Sequence, residues 1–119
     1  MKYVISFGTV PGYGSNDGSV VAEKVAEDLK NILFKIQEKT EVYPSGVLSL
    51  GKAIYSTEWG CPIGGEDIFV YSGSHNPEFS DIEKWQDAVL LLAKEIKSHF
   101  KQSTVTIDWI ESKITYLKD

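Results

Sequence analysis

Arginine is absent from the sequence, so all 12 basic residues are lysine. Arginine carries the planar group, with five N–H donors, that proteins favour for binding phosphates and base edges. The lysines do not cluster, and 17 acidic residues give the chain a net charge of −5. These features argue against a protein that binds duplex nucleic acid.

Cysteine and histidine are scarce. Cys61 is the one cysteine, so the chain can form neither an internal disulfide framework nor a four-thiolate zinc site. The two histidines, His75 and His99, lie far apart and without the spacing of metal ligands. We therefore expect no metal ion and no cofactor. No histidine is predictably beside Cys61 to make it a nucleophile.

Long hydrophobic runs are also missing. The apolar run of residues 1–7 ends at Gly8 and is too short for a signal peptide or a membrane span. We expect no membrane partner and a cytoplasmic location, in the host cell if the gene belongs to a phage. A length of 119 residues suits one domain, 1–119, with residues 110–119 docked as a tail.

The hydrophobic pattern predicts the element order β-α-β-β-α-β. Strands are predicted by alternation, or by β-branched and aromatic residues, at 2–7, 47–55, 67–71 and 103–109. A helix is predicted over about 19–38 with Ser19 as its cap, and a second begins at a capping box of Ser80 and Glu83. Right-handed crossovers in this order give an α+β fold, a ferredoxin-like sandwich. Its four-stranded antiparallel sheet carries both helices on one face.

The second face of that sheet would be uncovered in a monomer. Its expected members form a mixed but substantially apolar set: Lys2, Val4, Leu48, Leu50, Ile54, Thr104 and Thr106. Because such a surface usually marks an interaction site, we expect a homo-oligomer. Three large aromatic residues are assigned to the core instead: Trp85, Phe100 and Trp109.

A glycine-rich loop precedes the first predicted helix and is the first candidate ligand site. Its candidate residues are Gly12, Tyr13, Gly14, Ser15 and Asn16. Free backbone N–H groups and the positive end of the helix dipole would face a bound anion there. However, the glycine spacing matches neither the dinucleotide fingerprint nor a P-loop, and the nearby Asp17 disfavours an anion. A purely structural loop is the alternative.

The connection between the second and third strands is the second candidate, through Glu58, Trp59, Cys61 and Glu66. Tryptophan on such a loop can stack on a base, and either glutamate can accept hydrogen bonds or act as a general base. The alternative is that Trp59 folds over the sheet edge and closes the core.

The predicted topology also orders these loops in space. It places 12–18, 58–66 and 99–102 at one end of the sheet, and His75 with Asn76 at the other. Two lysines, Lys52 and Lys84, are the candidate positive charges for a ligand.

The element order over residues 2–109 resembles that of small ferredoxin-like proteins. Residues 45–51 and 102–107 resemble stretches in a family of uncharacterised bacterial proteins. Residues 46–61 and the last strand are similar to phage S-adenosylmethionine hydrolases, a resemblance that implies a trimer of a related sandwich. No catalytic residue of that family can be matched to a position here. In its length and its expected formation of oligomers, the chain also resembles small phage proteins that sequester nucleotide signals of bacterial immunity.

Three functions remain open from the sequence. The first is an oligomeric binding protein that sequesters a small nucleotide-like ligand without turnover. The second is a lyase or hydrolase that acts on a nucleoside-type substrate, with Glu58 or Glu66 as base. The third is an adaptor that binds another protein through the open sheet face.

Overall fold

The computed structural model describes residues 1–119. Four strands and two α-helices follow one another as predicted: β1 (Lys2–Phe7), α1 (Ala22–Thr40), β2 (Val47–Ala53), β3 (Glu66–Ser74), α2 (Ile82–His99) and β4 (Thr106–Ile110). The strands form one sheet in the order β2-β3-β1-β4, and every neighbouring pair is antiparallel. The predicted ferredoxin-like α+β sandwich is confirmed.

The core lies between one face of the sheet and the two helices. Alternation along β1 buries Tyr3, Ile5 and Phe7 on the helix side. The helices bury residues at helical spacing: Val25, Leu29, Ile32, Leu33 and Ile36 from α1, and Trp85, Ala88, Val89, Leu92, Ala93 and Ile96 from α2. Because both helices cover the same face, the connections at the two ends of the sheet remain accessible, and a ligand-binding or active site can form there.

Both helices begin later than predicted. Ser19 does not cap α1, because its hydroxyl donates to Asp17 within the preceding loop, and the helix begins at Ala22. The cap of α2 is Asp81, whose carboxylate accepts from the backbone N–H of Lys84. The predicted capping box at Ser80 was therefore wrong by one residue, and the ionised neighbour supplies the cap instead.

The composition of the open sheet face differs from the prediction. Leu48 pairs with Tyr71 and Leu50 with Phe69, so both leucines lie on the helix side of the sheet. Ile54 follows the end of β2, and Thr104 precedes β4. Cross-strand register assigns other apolar residues to the open face, next to the correctly predicted Lys2, Val4 and Thr106: Val47, Ile68, Val70 and Ile110.

The edge strand β4 starts at Thr106, later than predicted, and leaves its aromatic residue near solvent. Trp109 is 41% exposed, so its assignment to the core was wrong, although its ring lies edge-on to Trp85 at 6.0 Å. Beyond β4 the tail contacts the domain through two polar interactions. The amino group of Met1 donates to the carbonyl of Ser112 at 3.3 Å, and Lys118 pairs with Glu78.

Two further findings bear on function. None of the helices combines the length and the hydropathy that crossing a membrane requires. No group of three or more histidine, cysteine, aspartate or glutamate residues is arranged to hold a metal ion.

Candidate functional site

The two ends of the sheet carry different sets of connections. The hairpin end consists of the β1–α1 loop (8–21), the β2–β3 hairpin (54–65) and the α2–β4 turn (100–105). The far end consists of the α1–β2 and β3–α2 connections, with His75 and Asn76. As the topology predicted, the glycine loop and the end of α2 meet at the hairpin end, since the hydroxyl of Tyr13 lies 2.8 Å from Nε2 of His99.

A buried carboxylate lies beneath this contact. Asp28, in α1, is 7% exposed, and its Oδ1 accepts from Lys24 Nζ at 2.9 Å. Its Oδ2 accepts from the hydroxyl of Tyr13 and lies 3.1 Å from Nε2 of His99. We call these four residues the Asp28 cluster. The cluster joins the glycine loop to both helices.

The protonation states in the Asp28 cluster follow from its hydrogen bonds. Burial favours the neutral acid, but the hydrogen bonds from Lys24, Tyr13 and His99 outweigh it and lower the pKa of Asp28 to about 2. Burial and the bond to Asp28 raise the pKa of Tyr13, which therefore stays protonated. Because the Tyr13 proton points to Asp28, the tyrosine oxygen accepts from His99, and Nε2 of that histidine carries a proton.

Sequence reasoning missed the Asp28 cluster, although a signal for it exists. Asp28 lies three residues after Val25 and four before Ile32, on the buried stripe of α1. An acidic residue at that spacing indicates a buried and partnered carboxylate.

The glycine loop satisfies its own hydrogen bonds. Gly12 and Gly14 adopt left-handed conformations, with φ of 73° and 79°. Asp17 accepts from the hydroxyl of Ser15 and from the hydroxyl and backbone N–H of Ser19, and these bonds hold the pKa of Asp17 well below its usual range. A loop organised around an ionised carboxylate is poorly suited to a phosphate. This geometry favours the structural alternative for the loop.

The β2–β3 hairpin holds a second pair of titratable residues. The hydroxyl of Tyr55 donates to Oε2 of Glu66 at 3.0 Å, and this bond raises the pKa of the tyrosine. Glu66 was a candidate from the sequence, whereas Tyr55 was not. Oε1 of Glu66 has no protein partner and is free to accept from a ligand.

Of the other hairpin candidates, Glu58 and Trp59 project into solvent and Cys61 is half-buried. Trp59 is 82% exposed, so the alternative in which it closes the core was wrong. Glu58 is exposed, and the thiol of Cys61 makes one hydrogen bond, to the neighbouring carbonyl of Pro62 at 3.6 Å. Together with Ile54 and Ile63, Trp59 makes the hairpin an exposed apolar projection.

The two candidate lysines do not come together. Lys52, in β2, forms an ion pair with Asp67 near the hairpin. Lys84 lies in the first turn of α2, at the far end. A ligand bound at the hairpin end would therefore meet Lys52 and not Lys84 of the same chain.

The family model described as SAM lyase matches residues 1–118. The chain belongs to the SAM lyase family. This confirms the resemblance to phage enzymes of S-adenosylmethionine seen in the sequence, and it favours the nucleoside-type enzyme over the sequestering protein. No curated protein matches the chain.

Solved structures of phage SAM lyases share the fold. One, in the apo state, is 19% identical with a TM-score of 0.59, and the match covers 89% of this chain and 75% of the other. A second, bound to S-methyl-5′-thioadenosine, is 17% identical with a TM-score of 0.57, and its match covers 89% and 77%. At these identities the SAM lyase structures support the architecture, and the site rests on the geometry above.

Proposed function

We propose that this chain cleaves S-adenosylmethionine, releases S-methyl-5′-thioadenosine, and uses Glu66 and Tyr55 at the hairpin end to do so. The observation that carries the proposal is the 3.0 Å hydrogen bond from Tyr55 to Glu66. It orients one carboxylate oxygen and leaves the other free, on a hairpin that also presents Trp59. Membership of the SAM lyase family supplies the substrate class.

The chemistry requires one carbon–sulfur bond to break. The sulfonium sulfur of S-adenosylmethionine takes the bonding electron pair from the γ-carbon of the amino-acid chain and leaves as a neutral thioether. The γ-carbon of the remaining amino-acid fragment then regains a bonding pair in one of two ways. Its own carboxylate attacks the γ-carbon and closes a lactone, or a base removes a β-proton and an alkene forms. Neither course consumes water.

A carboxylate helps either course. Glu66 would attract the cationic substrate and, through its free oxygen, accept a hydrogen bond from a ribose hydroxyl or an ammonium group. Its bond from Tyr55 restricts its rotation, so the acceptor is already oriented before substrate binds. Trp59 offers a face on which the adenine can stack.

We infer that the complete site forms in a homo-oligomer. In a single chain the Tyr55–Glu66 pair lies on the protein surface, beside the exposed side chains of Ile54, Trp59 and Ile63. Packing of the hairpin against a second copy would bury these apolar groups and exclude water from the carboxylate of Glu66. The expected cytoplasmic location stays a prediction.

Product analysis tests the proposal. We expect S-adenosylmethionine incubated with the protein to yield S-methyl-5′-thioadenosine, identified by liquid chromatography and mass spectrometry. Glu66→Gln should abolish product while still binding S-methyl-5′-thioadenosine in a thermal-shift assay. The control is Glu23→Gln, an exposed position in the first turn of α1, which should keep full activity. Binding of S-adenosylmethionine that leaves it intact would favour the sequestering protein and refute the lyase.

A further inference from the structure

A cavity lies at the far end, away from the Tyr55–Glu66 pair. Its volume is about 440 Å³, within the size range of ligand-binding clefts. It lies between the end of α1, the end of β3 and the start of α2, and the C-terminal tail forms part of its wall. We call it the far-end cleft; its main lining residues are Gln37, Tyr43, Ser74, Phe79, Trp85 and Tyr116.

Aromatic rings form much of the far-end cleft. The indole of Trp85 is 3% exposed and is held between Tyr3 and His75, with ring centroids 5.5 and 5.2 Å away. The rings of Phe79 and Tyr116 line the same cavity and remain accessible to solvent. The two accessible rings, in a cleft whose inner wall is fixed by the buried indole, suit a flat heteroaromatic group.

The wall beside Tyr43 is held in place from beneath. The hydroxyls of Tyr3 and Tyr71 both donate to the carbonyl of Pro44, at 2.8 and 2.9 Å. Pro44 is itself fully buried, between the two cleft residues Tyr43 and Ser45. This part of the cleft is therefore formed before a ligand arrives, which lowers the entropic cost of binding.

Polar side chains of the cleft are left without protein partners. The amide of Gln37 and the hydroxyls of Ser74 and Ser80 line the cavity and make no hydrogen bond within the chain. These groups both donate and accept, as sugar hydroxyls and exocyclic amines require.

The charge of the lining restricts the ligand further. The cavity contains no lysine and no histidine, and its one ionisable carboxylate is Glu41. The nearest helix N-terminus, that of α2, is already capped by the carboxylate of Asp81. A phosphate would meet negative charge and no cation there.

We propose that the far-end cleft binds an uncharged nucleoside, with its base against the accessible rings of Phe79 and Tyr116 and its hydroxyl and amino groups on Gln37 and the serines. Adenosine represents the uncharged nucleosides, and AMP tests whether the cleft excludes a phosphate group. The inference depends only on the residues that line the far-end cleft, and it holds whether or not the hairpin end is a lyase site.

Nuclear magnetic resonance titration of the full, ¹⁵N-labelled chain with adenosine tests this site. We expect the indole N–H of Trp85 and the amides of Ser74 and Asn76 to shift together, in wild type and in Glu66→Gln alike. Tyr116→Ala should weaken binding at these signals by about tenfold, the effect of losing one stacking partner. The matched control is Leu117→Ala, because Leu117 is 94% exposed and lies outside the cleft.

Charge gives an independent test in the same titration. AMP should bind at least tenfold more weakly than adenosine, and Glu41→Lys should reduce that difference. The proposal is overturned if the shifts are confined to residues 8–21 and 54–66, or if no signal shifts. It is equally overturned if Tyr116→Ala matches Leu117→Ala, or if AMP binds as tightly as adenosine.

Discussion

Nε2 of His99, in the last turn of α2, lies 3.1 Å from the carboxylate of Asp28, in the second turn of α1. The two helices pack side by side, and this contact ties them together at the hairpin end. Tyr13 adds the glycine loop to the same carboxylate. A single buried side chain therefore joins three segments at the hairpin end of the sheet.

Replacing this carboxylate should destabilise the fold. Asp28→Asn removes the ion pair with Lys24 and weakens the acceptor for Tyr13 and His99. We expect this change to lower the free energy of unfolding by about 1–3 kcal/mol. A drop of several degrees in Tm by calorimetry would follow for a domain of this size. Glu27→Gln, next to it but exposed, is the control, and equal effects of the two changes would contradict the role of Asp28.

The lowered pKa of Asp28 predicts loss of stability in acid. The folded protein holds this carboxyl at a pKa of about 2, below the unfolded value of about 4. The stabilisation is complete above pH 4 and is lost as the pH falls towards 2, because the unfolded state then binds the proton more readily. Urea unfolding measured from pH 7 to pH 2 should show a shallower acid decline in Asp28→Asn than in wild type.

The tyrosine of the hairpin pair should affect turnover more than binding. Tyr55→Phe removes the bond that orients Glu66, and a tenfold or larger fall in kcat is expected, with little change in the affinity for S-methyl-5′-thioadenosine. Steady-state kinetics by chromatography would measure it. Glu58→Gln provides the comparison, since its side chain bonds to nothing in the protein and its rate should match wild type.

The apolar hairpin should govern assembly. Ile63→Glu introduces a charge where the hairpin would pack on a second copy, so the mass measured by light scattering should fall. Leu117→Glu, which places the same charge on the exposed tail, should leave the mass unchanged. A wild-type protein that is monomeric at all concentrations would refute the expected homo-oligomer.

The sequence predicted the fold because its periodicities are strong. Alternation in β1 and the stripes of α1 and α2 determine which faces are buried, and two crossovers then leave few sheet orders. The face of β2 was predicted wrongly, because Gly51 interrupts its pattern and only pairing with β3 assigns Leu48 and Leu50 to the helix side.

The site was less predictable than the fold. Glu66 was found because a carboxylate beside glycines on a loop is conspicuous. Tyr55 was missed because its bond to Glu66 depends on how the hairpin turns back, which no local pattern encodes. His99 and Asp28 meet only after the helices have packed, since they lie on different elements. A buried acidic residue was the one signal available for that cluster.

The position of β1 in the sheet has a consequence for how the chain folds. Lys2 pairs with Ser74 on one side and with Ile110 on the other. The hydrogen bonds along both edges of β1 therefore form only with β3 and β4, the two strands farthest from it in the sequence. Contacts so remote in sequence make folding slow compared with a helical bundle and cooperative across the whole domain. A chain truncated before β4 would leave one edge of this apolar strand unpaired, and such an edge recruits other strands into aggregates.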